Sequence, residues 1–291
     1  MKRNAIARIV IYSLLFLVLS SILIAALALD GFMFLFGEGD GTVVEHSGSV
    51  SADTTRRLEI DWAGGNVTIR RGENDHIFFY DNAPEKCQYK TVYECDGYTL
   101  SISYGKRAIR VGKDPAKDLV IEVPADWNCE ELEINGAGLV INIENLDINT
   151  LELDGAGCEL KFSGAVAYVD IDGAGAKLDF NCTAKPEQLD FDGMGCDLEL
   201  ILPEGCGFTV NTNGLGCDLN THLSLEEKSG NKVHGNGECA ININGLGCSI
   251  SIAESDECAH EWDLGYPAIE PGSGKQITVF TCLLCGKTKT E

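Results

Sequence analysis

The C-terminal stretch holds the residues whose types and spacing speak most directly of chemistry. Cys258-Ala259-His260 is separated by 21 residues from Cys282-Leu283-Leu284-Cys285-Gly286. A C-x-x-C followed by glycine makes a tight turn that aims two thiolates at one ion. Cys258 and His260 complete a Cys₃His set, the closed tetrahedral shell of structural Zn²⁺ with no open coordination position. Zinc would supply the folding energy that so short a segment, poor in core side chains, lacks. Two other readings stand beside it. A Cys282–Cys285 redox pair lacks its usual βαβ surroundings, and structural disulfides would give His260 no role. We therefore expect a zinc-ribbon-like module over residues 254–291, with Cys258, His260, Cys282 and Cys285 as ligands.

A second group of cysteines recurs at one position of a repeat. Cys158, Cys196, Cys217 and Cys248 each follow a Gly-x-Gly directly, and Leu139 and Ala176 fill the equivalent places. Since Leu and Ala substitute there, the position asks for a modest apolar side chain, and a ladder of buried free thiols is expected. Metal or redox chemistry along the ladder is the sharper alternative. Neighbouring strands would place the Cα atoms about 4.8 Å apart, within disulfide range, but parallel side chains orient poorly for that bond.

Other motifs fail on inspection. Gly-x-Gly-x-Asp at Gly193–Asp197 and Gly214–Asp218 is similar to a calcium-binding nonapeptide, yet the period is twice too long. The equivalent positions are Val140, Glu159, Lys177, Asp197, Asp218 and Ser249, which no ligand geometry survives. The Asx before each corner (Asn135, Asp154, Asp172, Asp192, Asn213, Asn244) is more regular and suits turn hydrogen bonding, with weak cation binding as a lesser reading. The acids follow the solvent period of the strands, and no Ser/His/Asp order or phosphate-binding loop is present. No catalytic residue is assigned, and a non-enzyme is expected. A polysaccharide-active β-helix is the enzyme alternative.

The elements that must position these residues come from a repeat. LEINGAGLVINI, LELDGAGCELKF, VDIDGAGAKLDF, LDFDGMGCDLEL, VNTNGLGCDLNT and INGLGCSISI share an alternating strand, an Asx-Gly-x-Gly corner and a second alternating strand. The glycine pairs are Gly136/Gly138, Gly155/Gly157, Gly173/Gly175, Gly193/Gly195, Gly214/Gly216 and Gly245/Gly247, at steps of 19, 18, 20, 21 and 31. The Asx-Gly-x-Gly corner is read as supplying residues that tolerate φ > 0, so that the chain turns sharply without Cβ strain. One unit cannot bury its apolar face alone, so successive units must stack. The expected fold is all-β, a single-stack β-solenoid of about 20 residues per coil. Irregular hairpins in a β-sandwich would not explain six such corners. Residues 57–130 read as degenerate coils of the same kind.

Charge divides the chain further. The formal net charge is −23, from 22 Lys+Arg and 45 Asp+Glu, which excludes a nucleic-acid binder. Residues 1–29 hold three bases and no acid, and the 21 residues Ile9–Leu29 are uncharged and apolar. At about 1.5 Å per residue they span roughly 31 Å, the thickness of a bilayer core. The expected plan is a cytoplasmic start at 1–8, a transmembrane helix at 9–29, a flexible tether at 30–56, and a solenoid at 57–253. The positive-inside rule puts the N-terminus in the cytoplasm and the remainder outside, as a single-pass cell-membrane protein. Secretion after cleavage near Ala26-Leu27-Ala28 is the alternative.

The L-x-I-x-G-x-G-x-x-L-x-I units from Leu132 to Ile252, the Ile121–Pro124 and Leu200–Pro203 endings and the opening LEIDWAGGNVTI resemble the bacterial β-solenoid family known as putative adhesins, a domain of unknown function. The likeness covers about residues 57–253. It implies an envelope surface module and carries over no catalytic residue. The tail resembles small C-x-H-x-W…C-x-x-C-G modules of clostridial surface proteins, though Pro267-Ala268-Ile269 replaces their Pro-Thr-Cys element. Taken together, a surface binding or adhesion-like module is expected, with envelope-stress sensing as the alternative. Its partners would be the membrane and a cell-envelope, host-surface or neighbouring membrane protein, without nucleic acid or small-molecule substrate.

Overall fold

A computed structural model describes residues 32–35, 42–43, 47–84, 87, 89–105, 108–111, 115–255, 265–269, 276–281 and 288–290. Every assigned element is a β-strand. This corrects the expected single-pass membrane protein. Among the described residues no helix is long and apolar enough to cross a membrane. Residues 9–29 themselves fall outside the described set, and the single-pass placement with a cytoplasmic N-terminus is withdrawn.

One 20-stranded sheet dominates, beside a pair formed by Phe32–Leu35 and Ala108–Val111 and a three-stranded sheet of Tyr266–Ile269, Gln276–Thr281 and Thr288–Thr290. The large sheet contains two parallel columns. The first runs Thr99–Ser103, the front half of Arg57–Arg71, the front half of Cys129–Glu144, Ile148–Ala156, Val166–Ala174, Gln188–Met194, Cys239–Leu246 and Phe208–Leu215. The second runs Asp118–Val123, the back halves of the same two long strands, Glu159–Gly164, Lys177–Cys182, Asp197–Leu202, Ser249–Glu254 and Asp218–Thr221. Alternation places the apolar set inward. Leu132, Ile134, Ile141 and Ile143 are all buried, and Phe180 packs against Phe162 and Phe191 with ring centroids 5.5 and 6.0 Å away.

Two findings depart from a uniform single-stack solenoid, which the expected fold class is corrected to exclude. The sheet is mixed. Antiparallel strands cover its ends: Ser47–Ser51 and His76–Asn82 beside Asp118–Val123, Val92–Cys95 beside Thr99–Ser103, and Asn231–His234 beside Phe208–Leu215. Such strands close parallel edges that would otherwise expose unpaired backbone groups.

The stacking order also departs from chain order. The coil of Cys239–Glu254 inserts between those of Gln188–Leu202 and Phe208–Thr221. Composition supplies the reason. The inserted coil points Ile241, Ile243, Ile250 and Ile252 inward, all buried, whereas the displaced coil has Thr212 and Thr221 at the two equivalent places of Ile243 and Ile252. The more apolar coil takes the position with neighbours on both sides, and the polar one is left at the end. Burying an aliphatic side chain is worth about 1.5–3 kcal/mol.

Candidate binding face, corners and thiol column

Each corner uses its two glycines for different reasons. The second glycine is left-handed throughout, with φ of 63° at Gly138, 64° at Gly157 and Gly195, 65° at Gly175, 72° at Gly216 and 67° at Gly247. The first glycine is a matter of space. A Cβ on Gly193 would collide with the Gly173 carbonyl of the neighbouring coil and would lie 2.9 Å from Cys196 Sγ; one on Gly155 would lie 2.7 Å from the Gly136 oxygen and 2.8 Å from Cys158 Sγ. Among the first glycines only Gly214 has a positive φ, 155°, so conformation accounts for the second position and space for Gly136, Gly155, Gly193 and Gly245.

The thiols rest on those glycines. Cys158 Sγ donates to Gly136 O at 3.7 Å, Cys196 to Gly173 O at 3.7 Å, Cys248 to Gly193 O at 3.8 Å and Cys217 to Gly245 O at 3.5 Å. Cys158 and Cys248 are buried, while Cys196 and Cys217 are half-buried. Because the coils are reordered, the column reads Leu139, Cys158, Ala176, Cys196, Cys248, Cys217. Three thiols are thus consecutive, and Cys158 stands apart behind Ala176. Burial pushes the Cys158 and Cys248 thiols above their ordinary range, with Cys196 and Cys217 acting on Cys248 as well.

The outward side of the first column is acidic and in register. Glu59, Glu133, Glu152, Asp170 and Asp190 occupy one row, and Asp61, Asn135, Asp154, Asp172 and Asp192 the next. Arg57 neutralises one end: its Nη2 lies 2.8 Å from Glu133 and 3.0 Å from Glu131, and its Nε 3.1 Å from Glu59. Among the described residues, Glu131, Glu133 and Glu152 are the one His/Cys/Asp/Glu group whose ligand atoms all fall within 4.8 Å of one another. Farther along the row no base pairs with Asp154, Asp170 or Asp172 among the described residues. Desolvation, followed by mutual repulsion, holds Glu152, Asp154 and Asp170 above the usual carboxylate range. Within the Asx row, Asn135 donates to Glu133 Oε1 at 2.9 Å, and Asp192 Oδ1 is buried without a hydrogen-bond partner in the described structure.

The raised carboxylates set a pH dependence. Their folded pKa values lie above the unfolded ones, so the folded chain binds more protons, and their contribution to stability falls as pH rises through the folded values. Glu152→Gln with Asp170→Asn should melt above the parent at pH 7, the difference closing toward about pH 4; thermal melts across that range check it.

Sequence reasoning read these acids as ordinary solvent-period residues. The available signal was their identical offset before each Gly-x-Gly, which becomes a row once the coils stack. Across the second column an open groove of about 440 Å³ includes Asn142, Lys161, Asp179 and Glu199 on its outward side. The proposed zinc ligands Cys258, His260, Cys282 and Cys285 lie outside the described residues.

Comparison with family models gives no match, and comparison with curated proteins gives none. Among solved structures, the chain is similar to a putative cell adhesion protein from Clostridium sporogenes, at 14% identity and TM-score 0.42 over 74% of this chain and 100% of that one. It is also similar to a putative adhesin from Bacteroides fragilis, at 12% identity and TM-score 0.40 over 72% and 96% of the two chains. A putative lipid binding protein from Parabacteroides distasonis follows at 14% identity and TM-score 0.27, over 74% and 98%. None of these descriptions names an enzyme. Likeness at this level transfers no residue role.

Proposed function

We propose that this chain is a non-enzymatic surface-binding module that offers its acidic column face to a cationic partner. The observation supporting this is the in-register row Glu133, Glu152, Asp170 and Asp190, whose members repeat at about 4.8 Å on a hydrogen-bonded sheet. Like charges held so closely repel one another. A polycation lying along the row relieves that repulsion without ordering the protein, which is the preorganisation that favours tight contact. The substitutions that should raise stability at pH 7 are then the ones that weaken binding, a usual trade at functional surfaces.

The full chain should bind immobilised poly-lysine with a steep salt dependence. Glu133→Gln, Glu152→Gln and Asp170→Asn together should weaken binding by about tenfold or more. Neutralising three acids of the second column (Asp179→Asn, Asp197→Asn, Glu199→Gln) removes the same charge and should have little effect. Equal losses from the two sets would reduce the attraction to net charge and sink the assignment of a face.

For the tail we propose structural zinc on Cys258, His260, Cys282 and Cys285, supported by the C-x-x-C-G spacing. Metal analysis of the reduced full chain should give one zinc, lost in Cys282→Ser. A parent protein free of zinc after purification in its presence would contradict the proposal.

A further inference from the structure

The reordered thiol column does something that chain order alone would not permit. Inserting the Cys239–Glu254 coil places Cys248 directly between Cys196 and Cys217. We propose that Cys196, Cys248 and Cys217 form a binding site for a soft monovalent metal ion, copper(I), held two-coordinate between consecutive thiols.

Three thiols with a common carbonyl contact share one orientation: each reaches the first corner glycine of its neighbour at 3.5–3.8 Å. They are therefore displaced from one another by about one strand spacing, 4.7–4.9 Å. With metal–sulfur bonds of about 2.3 Å, a linear S–M–S unit spans about 4.6 Å, so an ion fits between neighbours with almost no backbone movement. A disulfide requires sulfurs about 2.05 Å apart. Three thiolates around one tetrahedral ion must converge, but Cys196 and Cys217 are two strand spacings apart, roughly 9.5 Å. The column geometry selects two-coordinate bridging, and thiolate softness selects copper(I) over harder ions.

A second observation lies at the same place. A small void, with room for about one water centre (≈ 10 Å³), is lined by both Cys196 and Cys248, together with Asp192. Asp192 is the residue whose buried Oδ1 lacks a hydrogen-bond partner in the described structure, so a cation entering the void meets an unbalanced negative oxygen. Entry is open from the half-buried Cys196 and Cys217, and the exposed thioether-bearing Met194 stands two residues before Cys196. The bridges form by proton displacement: three thiols and two copper(I) ions give one chain in which the Cys248 thiolate is shared by both ions, with three protons released and no change of oxidation state.

The test uses the full chain carrying Cys258→Ser, Cys282→Ser and Cys285→Ser, so that the tail binds nothing. Copper(I) is titrated anaerobically against a chromogenic chelator. Two ions per chain should bind through the column. Cys248→Ala, which removes the shared thiol, should lower the stoichiometry by two, and Cys196→Ala or Cys217→Ala by one each. Cys158→Ala, at the same repeat position but isolated behind Ala176, should leave it unchanged. The single end variants decide the matter if Cys248→Ala does not fold. No copper uptake, an unchanged stoichiometry in the column variants, or an equal loss in Cys158→Ala would overturn the proposal.

Discussion

Lys117→Met should destabilise the protein by about 3–5 kcal/mol, the usual consequence of leaving one member of a buried ion pair uncompensated. The Lys117 and Asp81 side chains are 0% and 2% exposed, with Nζ 3.6 Å from Asp81 Oδ2. The ammonium is held by more than its counter-ion. It donates to Thr91 Oγ1 and Tyr104 O at 2.9 Å and to Tyr89 O at 3.3 Å, and it lies 4.3 and 4.7 Å from the ring centroids of Tyr104 and Trp62. Desolvation pulls the lysine below its ordinary range and Asp81 pulls it back, so the site tolerates the charge only while its partners remain. Trp62 Nε1 also donates to Lys117 O at 2.9 Å, tying the cluster to the strand Arg57–Arg71. Lys117→Met combined with Asp81→Asn removes both charges and should recover most of the loss. Urea unfolding of the two variants measures this. A single-variant loss below about 1 kcal/mol would mean that the pair is solvated.

That cluster was not legible in the sequence, and the reason is physical. A lysine in Pro-Ala-Lys-Asp-Leu-Val reads as a surface charge, because nothing within a few residues announces the aspartate 36 positions earlier. Local pattern fared better where the code is local. Period-two alternation gives the inward row Leu132, Ile134, Ile141 and Ile143, and Asx-Gly-x-Gly marks each corner. Stacking order depends instead on which coil gains more from two neighbours. Thr212 and Thr221 carry that information only when compared with Ile243 and Ile252, a comparison between coils. The antiparallel end strands follow from edge protection, which no repeat pattern encodes.

The corner glycines give the second large effect, and it inverts the expectation drawn from backbone conformation alone. Gly195 has φ of 64° and nothing within 4 Å of a Cβ. Gly195→Ala should therefore cost only the left-handed penalty, about 1–2 kcal/mol. Gly193 is not among the left-handed residues, yet its Cβ would strike the Gly173 carbonyl and stand 2.9 Å from Cys196 Sγ. Backbone cannot rotate away as a flexible side chain can, and the Gly173 strand is itself fixed in register with Gly155 and Gly193. Gly193→Ala should thus cost about 3 kcal/mol or more, at or above the upper range for overpacking. Cys196→Ala removes the sulfur but not the carbonyl, so Gly193→Ala should remain costly in that background. A full rescue by Cys196→Ala in thermal melts would show that the thiol, not the neighbouring coil, reserves the position for glycine. Without rescue, the corner is a backbone-to-backbone contact, and its first glycine is what lets one coil rest on the next.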